Sequence, residues 1–289
     1  MNIIKNALKI IPDSIYISMI YYRHFQKIPN LKEPVTMNEK IQWLKLHDRR
    51  PEYVEIVDKI KAKEYVSNII GEEYIIPTLG TWGKGEDIEF DRLPDRFVLK
   101  TNHDSHGIII CRDKSKLDRN LTISFFNRRL KNNGFWYGRE WPYKPVKPRI
   151  LAEKYLSDSD DGLALNDYKF YCFGNKVDSV MICTDRAIGS PKFYFFDRDW
   201  KLKRYNKRGK AAPDGFTLPK PEAIDEMFRI AEVLAGAVNA PLLRVDLYSV
   251  KGRIYFGELT LYPTSGFDDN IVPEADQYLG SLVDINIGK

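Results

Sequence analysis

Hydrophobic positions recur at helical spacing in the first quarter of the chain and mostly at every second residue beyond it. Val54, Ile56, Val57, Ile60, Tyr65, Val66, Ile69 and Ile70 share one helical face. Pro51 opens this stretch and Gly71 closes it, so the spacing predicts one helix over 51–70. Thr36 and Glu39 stand at capping-box spacing, which predicts a helix start with Ile41, Trp43 and Leu44 turned inward. The first 22 residues are apolar in patches but carry Lys5, Lys9, Pro12 and Asp13. They read as an amphipathic helix, either packed on the core or docked on a membrane surface or a partner. Neither a membrane span nor a signal-peptide cleavage site is expected.

After Gly71 the texture is mainly that of strands. Residues 74–77, 96–101 and 108–111 read as strands, the last two forming a hairpin around the polar loop Asn102–Gly107. A helix is expected over 122–130, followed by a loop over 134–148 rich in Trp, Tyr, Pro and basic residues. Strands are then expected at 149–155, 168–173, 176–183 and 192–196. A helix at 221–237 precedes two last strands, 242–248 and 253–261. Strand runs interspersed with helices indicate an α+β fold rather than a doubly wound parallel sheet.

Composition narrows the function classes. A length of 289 residues permits one large domain or two to three lobes, and 43% hydrophobic residues argue against disorder. The net charge of +5 suits a phosphate-bearing ligand and does not call for nucleic acid. Cys111, Cys172 and Cys183 lack metal-ligand spacing, and their odd number points to a reducing compartment, hence a cytoplasmic location.

The strongest chemical signal is the final hairpin, LLRVDLYSVKGRIYFGELTLYP. Alternation places Arg244 and Asp246 on one face of the first strand, and Glu258 and Thr260 on one face of the second. Around a turn at Val250–Gly252, Asp246 and Glu258 are expected as diagonal or near-diagonal neighbours, about 7–8 Å apart. Two carboxylates so close repel unless a cation lies between them, and oxygen ligands suit Mg²⁺. Arg244 adds a donor fork suited to a phosphoryl group. The alternative is a solvated strand face with a salt bridge. In FVLKTNHDSHGIIIC, Lys100 ends a strand before a loop whose amides can wrap phosphate, although an ordinary hairpin turn fits as well. It is neither a P-loop nor a dinucleotide fingerprint. RILAEKYL is an extended segment able to read an adenine edge or to serve as core, and DYKFYCF carries Lys169 in mid-strand.

In order, these segments resemble ATP-grasp enzymes, and most closely the TupA-like ATP-grasp family, named for teichuronopeptide synthesis and found among bacterial surface-polysaccharide genes. The resemblance runs through MNEKIQWLKLHDR, DKIKAKEYV, YIIPTLGTW, RFVLKTNHDSHG, ILAEKYL, DYKFYCF and GRIYFGELT. It implies two α+β lobes gripping ATP: an N-terminal helical segment over 1–57, a first lobe with a lid hairpin over 58–152, and a second lobe with the metal site over 153–289. It also implies that Lys63 and Lys100 contact nucleotide phosphates, with Asn102, Ser105, His106 and Gly107 in the lid. Glu153, Lys154, Tyr155 and Leu156 would line the adenine side, with Asp160 as a ribose contact. Lys169 and Arg186 would lie near the transferred phosphate. Arg244 would be catalytic, with Mg²⁺ or Mn²⁺ held by Asp246, Glu258 and Thr260. Thr260 departs from the Glu-x-Asn pattern of many ATP-grasp ligases. In the lid, Asp104 is expected to point outward, and His103 and His106 either to donate to phosphate if protonated or simply to be solvent-exposed.

The implied reaction joins a carboxylate to an amine through an acyl phosphate. The implied substrates are a uronic acid of a surface glycan or its precursor and an amino acid or small amine. The aromatic run FWYGREWPY offers rings to stack on a sugar face or to pack internally. The rival reading is a glycosyltransferase of surface-polysaccharide synthesis, for which Asp158-Ser159-Asp160 has the form of a DxD metal motif. A non-enzymatic scaffold or membrane adaptor is a third, disfavoured by the lysines, Arg244 and both carboxylates.

Overall fold

The computed structural model describes residues 10–157, 165–184 and 191–286. Helix α1 spans Asp13–Phe25 and begins directly after Pro12. Helix α2, Met37–His47, starts in the expected capping box, Thr36 accepting from the Glu39 amide and Glu39 reaching back. Ile41 and Leu44 of this helix are buried, and Trp43 is half-buried.

The helix expected over 51–70 is two helices, α3 (Tyr53–Val57) and α4 (Lys59–Ile70). Asp58 is extended between them and caps α4, its carboxylate accepting from the Ile60 amide at 3.0 Å. An Asp at an N-cap satisfies an otherwise orphaned amide, and that interruption leaves the apolar spacing unchanged. The short strand expected at 74–77 is a 3₁₀ turn, Glu72–Tyr74, followed by a single bridge from Ile75 to Phe256. The strand proper, β1, is Thr78–Trp82, beyond the Pro77 ring that has no amide to donate.

Four strands build the smaller sheet in the order β1–β4–β2–β3, with β2 at Phe97–Thr101, β3 at Ile108–Cys111 and β4 at Ile150–Lys154. Helix α5, Arg119–Leu130, places Phe126 against Phe97, Leu99, Ile150 and Ala152 to form a small separate core. The larger sheet has six antiparallel strands, ordered β10–β9–β5–β6–β7–β8. They are β5 Asp167–Phe173, β6 Lys176–Thr184, β7 Lys192–Phe196, β8 Leu202–Lys203, β9 Leu242–Val250 and β10 Arg253–Thr260. One face of this sheet is covered by α8, Ile224–Val238, the short helices α6 (Phe135–Gly138) and α7 (Lys207–Lys210) lying earlier in the chain. Met227, Ile230, Ala231, Leu234, Ala235 and Val238 follow the helical period on α8 and are all buried.

The N-terminal helices join this larger core: Ile41, Leu44, Ile56 and Val57 are part of it, and so are Ala62 and Val66 of α4. The last helix, α9 (Pro273–Leu282), lies against the start of α2. Gly280 is the point of closest approach, because a β-carbon there would stand 2.1 Å from the Val35 carbonyl oxygen and 2.7 Å from the Met37 nitrogen. Both are backbone atoms that cannot rotate away. Gly280→Ala is therefore expected to destabilise the fold by about 1–3 kcal/mol, read as a fall of several degrees in calorimetric Tm. An unchanged Tm would show that the two helices are not clamped there.

Candidate active site

Period-2 alternation sorts the larger sheet into a helix-covered face and a polar face. Phe170, Val245 and Leu259 point to the first and are fully buried. On the second face, Lys169 of β5, Asp246 of β9 and Glu258 of β10 lie in register as one row across three strands. Tyr171, Arg244 and Thr260 form the next row. Asp246 and Glu258 are thus directly opposite, not diagonal as the uninterrupted hairpin predicts. The cause is a bulge at Gly257, where the register shifts by one residue. Before it, Ile254 and Phe256 face the core; after it, Leu259 and Leu261 do. Without that extra residue, Glu258 would fall on the helix-covered face. A side chain at 257 would crowd the bulge, since a β-carbon would stand 3.0 Å from the Asp246 carbonyl oxygen.

The charges in these rows are tightly compensated. Arg244 donates through Nε to Asp246 Oδ1 at 2.7 Å and through Nη2 to Oδ2 at 2.9 Å. Lys169 contacts the same Asp246 carboxylate and Asp167 Oδ2, the latter at 2.7 Å. Burial raises the Asp246 carboxyl, but Arg244 and Lys169 outweigh it and hold the group below its ordinary value. Burial works against the Arg244 charge too, and Asp246 more than reverses it. Glu258 is more open and meets Lys59 at 3.2 Å, a residue the sequence reading passed over. Thr260, expected as a metal ligand, accepts a hydrogen bond from Arg244 at 3.1 Å.

A second charged group stands on the smaller sheet. Glu153 in β4 pairs with Lys63 of α4 at 2.8 Å and with Lys100 of β2 at 2.6 Å. Lys63 also donates to the Thr78 hydroxyl at 2.9 Å. The Glu153 carboxylate, expected on the adenine side, thus holds the two lysines expected to reach phosphate. Burial raises the Glu153 carboxyl, and Lys100 and then Lys63 bring it below its ordinary value. Burial lowers Lys63 despite Glu153. Glu153 is the carboxylate paired with both lysines, and Glu72 acts on Lys63 more weakly, so the cations outnumber the carboxylate they share. Lys154 is exposed at the end of β4, and Tyr155 and Leu156 are half-buried just beyond it.

The loop after β2 is more firmly built than the sequence suggests. Asn102 is buried: its amide donates to Asp58 Oδ1 and the Lys147 carbonyl, both at 3.0 Å, and its Oδ1 accepts from the Arg149 amide at 2.7 Å. It is an anchor rather than a phosphate ligand. Asp104 points inward, not outward, and pairs with Arg129 at 2.6 Å. Its other oxygen accepts from the Thr101 hydroxyl at 2.8 Å, the Gly107 amide at 2.6 Å and the His106 amide at 3.1 Å. Those two lid amides are therefore committed. His103 is buried, its ring nitrogens lying 3.3 Å from Asn102 Oδ1 and 3.1 Å from the Asn132 carbonyl, and desolvation lowers its pKa. Ser105 and the His106 ring remain exposed.

The aromatic loop is mostly internal packing. The Arg139 guanidinium lies 4.3 Å from the Tyr16 ring centre and 4.9 Å from that of Trp136. Trp141 donates to the Asp48 carbonyl at 2.8 Å. Tyr143 is half-buried in this loop; burial raises its pKa, Glu140 and Glu258 add to the rise, and Arg244 opposes it. Nearby Lys45 donates to the Gly138 carbonyl at 2.6 Å and the Ser265 carbonyl at 3.0 Å, and burial pushes its pKa down to about 7. Arg186 and Asp160, with the Asp158-Ser159-Asp160 motif, lie outside the described residues.

The donor set tests the fit of a metal. Among the described residues no cluster of three His, Cys, Asp or Glu side chains could enclose a cation. Asp246 and Glu258 alone supply two facing carboxylates, a number that suits Mg²⁺ when phosphate oxygens complete its shell. The residues fit a nucleotide-borne cation and do not fit an all-protein cage.

A family model described as TupA-like ATPgrasp matches residues 39–284. None of the curated protein sequences matches the chain. Among solved structures, the chain is similar to D-alanine–D-alanine ligase from Bacillus anthracis complexed with ATP, with 16% identity, TM-score 0.45, and coverage of 79% of this chain and 63% of that one. An ADP complex of N5-carboxyaminoimidazole ribonucleotide synthetase gives 15% identity, TM-score 0.48, and coverage of 78% and 50%. L-amino acid ligase from Bacillus licheniformis gives 10% identity, TM-score 0.49, and coverage of 88% and 56%. The chain thus spans about half to two thirds of the length of these solved relatives.

Asp246 and Glu258 differ sharply in what their charges support. Asp246→Asn leaves Arg244 and Lys169 buried with too little counter-charge, and is expected to cost about 3–5 kcal/mol in urea denaturation. Glu258→Gln, which loosens a partly exposed pair, is expected to cost less than about 1 kcal/mol. The pH dependence follows from the depressed carboxyls of Asp246 and Glu153. Their stabilisation is complete at neutral pH and is lost as pH falls below about 4, through the folded values. Equal losses for the two variants would contradict this charge assignment.

Proposed function

The chain belongs to the TupA-like ATP-grasp family, and on that premise we propose that it is an ATP-dependent ligase joining a carboxylate to an amine. Its two antiparallel sheets with interspersed helices are the ATP-grasp fold. The observation that carries the reading is the Glu153 carboxylate shared by Lys63 and Lys100. Two lysines on one buried carboxylate need a further anion, and the β- and γ-phosphates of ATP supply it. The Lys169–Asp246–Glu258 row supports a role at the transferred phosphoryl group.

In the proposed reaction the substrate carboxylate attacks the γ-phosphorus, and ADP departs with the electrons of the broken P–O bond. The acyl phosphate is then attacked at carbon by the amine. Phosphate leaves, the nitrogen gives up a proton, and an amide remains. Lys169 and Arg244 hold fixed positive charge for the phosphoryl oxygens, so little reorganisation is needed as charge moves. Mg²⁺ (or Mn²⁺) entering with the nucleotide would be held by Asp246 and Glu258 and would neutralise phosphate charge. We assign the carboxylate to a uronic acid of a bacterial surface polysaccharide or its precursor, and the amine to an amino acid or small amine. That assignment rests on the family resemblance.

ATP with Mg²⁺ is expected to raise Tm by several degrees, since ligand at a hundred times Kd adds about 2.7 kcal/mol. Lys100→Met is expected to lose most of that shift, and no shift in the wild type at millimolar ATP would sink the nucleotide site. In a screen of uronates against amines, ADP release is expected, falling roughly 10²–10³-fold in Glu258→Gln. UDP release from a sugar nucleotide without ADP formation would favour the glycosyltransferase instead.

A further inference from the structure

Helix α1 buries one face and leaves the other uncovered. Tyr16, Ile17 and Tyr21 are buried, whereas Ile15, Met19 and Tyr22, at positions i, i+4 and i+7, are each more than half exposed. Ile10 ahead of the helix is 86% exposed and Ile28 behind it 73%, which extends the apolar strip at both ends. Ser14 and Ser18 lie between these side chains, and the strip lines one shallow groove. Single exposed apolar residues are ordinary, but a contiguous strip along a helix is not.

The charge around the strip indicates what covers it. Arg23, His24, Lys27 and Lys32 are exposed at and beyond the C-terminal end of the helix, and Lys5 and Lys9 precede it in sequence. The acidic residues of this segment are few: Asp13 is drawn to Arg139 at 3.3 Å, and Glu39 is turned into the capping box. Glu33 is the exposed one, beside Lys32. Tyr22, with an apolar ring and a polar tip, suits the boundary between hydrocarbon and water. No helix among the described residues is long and apolar enough to cross a membrane.

We infer that α1 docks flat on an anionic lipid bilayer, its Ile10–Ile15–Met19–Tyr22–Ile28 strip entering the headgroup boundary and Arg23, Lys27 and Lys32 meeting lipid phosphates. The same helix is tied to the aromatic loop, the Tyr16 hydroxyl lying 3.2 Å from both the Trp136 and the Tyr137 carbonyls. Docking of α1 would bring that loop close to the bilayer, which, resting on the ligase reading above, points to a lipid-linked carboxylate or amine as substrate.

Flotation tests this without ATP or turnover, so its failure is distinct from failure of the ligase reading. The full chain is mixed with vesicles of phosphatidylcholine and phosphatidylglycerol in equal parts, or of phosphatidylcholine alone, and centrifuged through a density gradient. Wild type is expected to float with the anionic vesicles and to remain mostly below with the neutral ones. Ile15→Asp/Met19→Asp and Arg23→Glu/Lys27→Glu are each expected to reduce flotation roughly tenfold. Ile110→Asp, on the exposed edge strand of the smaller sheet, should float like wild type. The Tm of each variant, with and without ATP, shows that it is folded. The inference is overturned if wild type stays below anionic vesicles, or if the Ile15/Met19 variant floats unchanged. Light scattering that shows a dimer abolished by Ile15→Asp/Met19→Asp, with no flotation of wild type, would assign the strip to a second copy of the chain.

Discussion

Buried charge must be paired, and that requirement fixes where the reactive side chains of this protein point. β5 is buried along its whole length, so Lys169 in its middle has no solvent to turn to. It lies between Asp167 and Asp246, and Arg244 closes on Asp246 from the neighbouring position. The same constraint orders the smaller sheet, where Lys63 and Lys100 converge on Glu153. The two clusters differ in balance. On the larger sheet two carboxylates meet Lys169 and Arg244, so the group is nearly neutral and held in place. On the smaller sheet one carboxylate is shared by two lysines, so the paired cations outnumber the paired carboxylate.

Helix α4 ties the two clusters together. Lys59 and Lys63 are four residues apart and share a face. Lys63 reaches Glu153, while Lys59 meets Glu258 and donates to the Asp104 carbonyl at 2.9 Å. The helix itself is buried through Ala62 and Val66 in the core of the larger sheet. One helix rooted in the core of the larger sheet therefore carries both the lysine that meets Glu153 of the smaller sheet and the lysine that meets Glu258 of β10. The break at Asp58 is what allows this. A helix continuing from residue 51 would have no N-terminus there, and Asp58 could not both cap α4 and receive the Asn102 amide.

Much of this was legible in the sequence, and the exceptions have definite physical causes. The capping box at Thr36, the polar loop between β2 and β3, and the alternation in β9 all follow from local rules that tertiary packing leaves alone. The Asp58 break was hidden because both helices bury the same apolar period. The Gly257 bulge was hidden because one extra residue in a short hairpin leaves no mark in composition. Its signature was the interrupted alternation itself: Ile254 and Phe256, then Leu259 and Leu261, change parity at the glycine. Asp104 and His103 were misplaced for another reason. A polar loop reads as solvated unless a distant partner is known, and Arg129 and the Asn132 carbonyl come from the far end of α5 and just after it. Lys59 was missed because it has no distinctive neighbour in sequence; only the fold brings it to Glu258.

The bulge also separates the two carboxylates by environment. Asp246 comes from a regular strand and is closed in by Arg244 and Lys169, which hold both of its oxygens. Glu258 follows the irregular step, is more exposed, and has Lys59 as its cationic partner at 3.2 Å. If Asp246 and Glu258 hold a metal as proposed, the first would be the rigid ligand and the second the adaptable one. Lys59 meets Glu258 and also donates to the Asp104 carbonyl. The asymmetry sets the more exposed carboxylate beside Lys59, which also reaches the loop between β2 and β3, and the enclosed one beside Lys169 and Arg244.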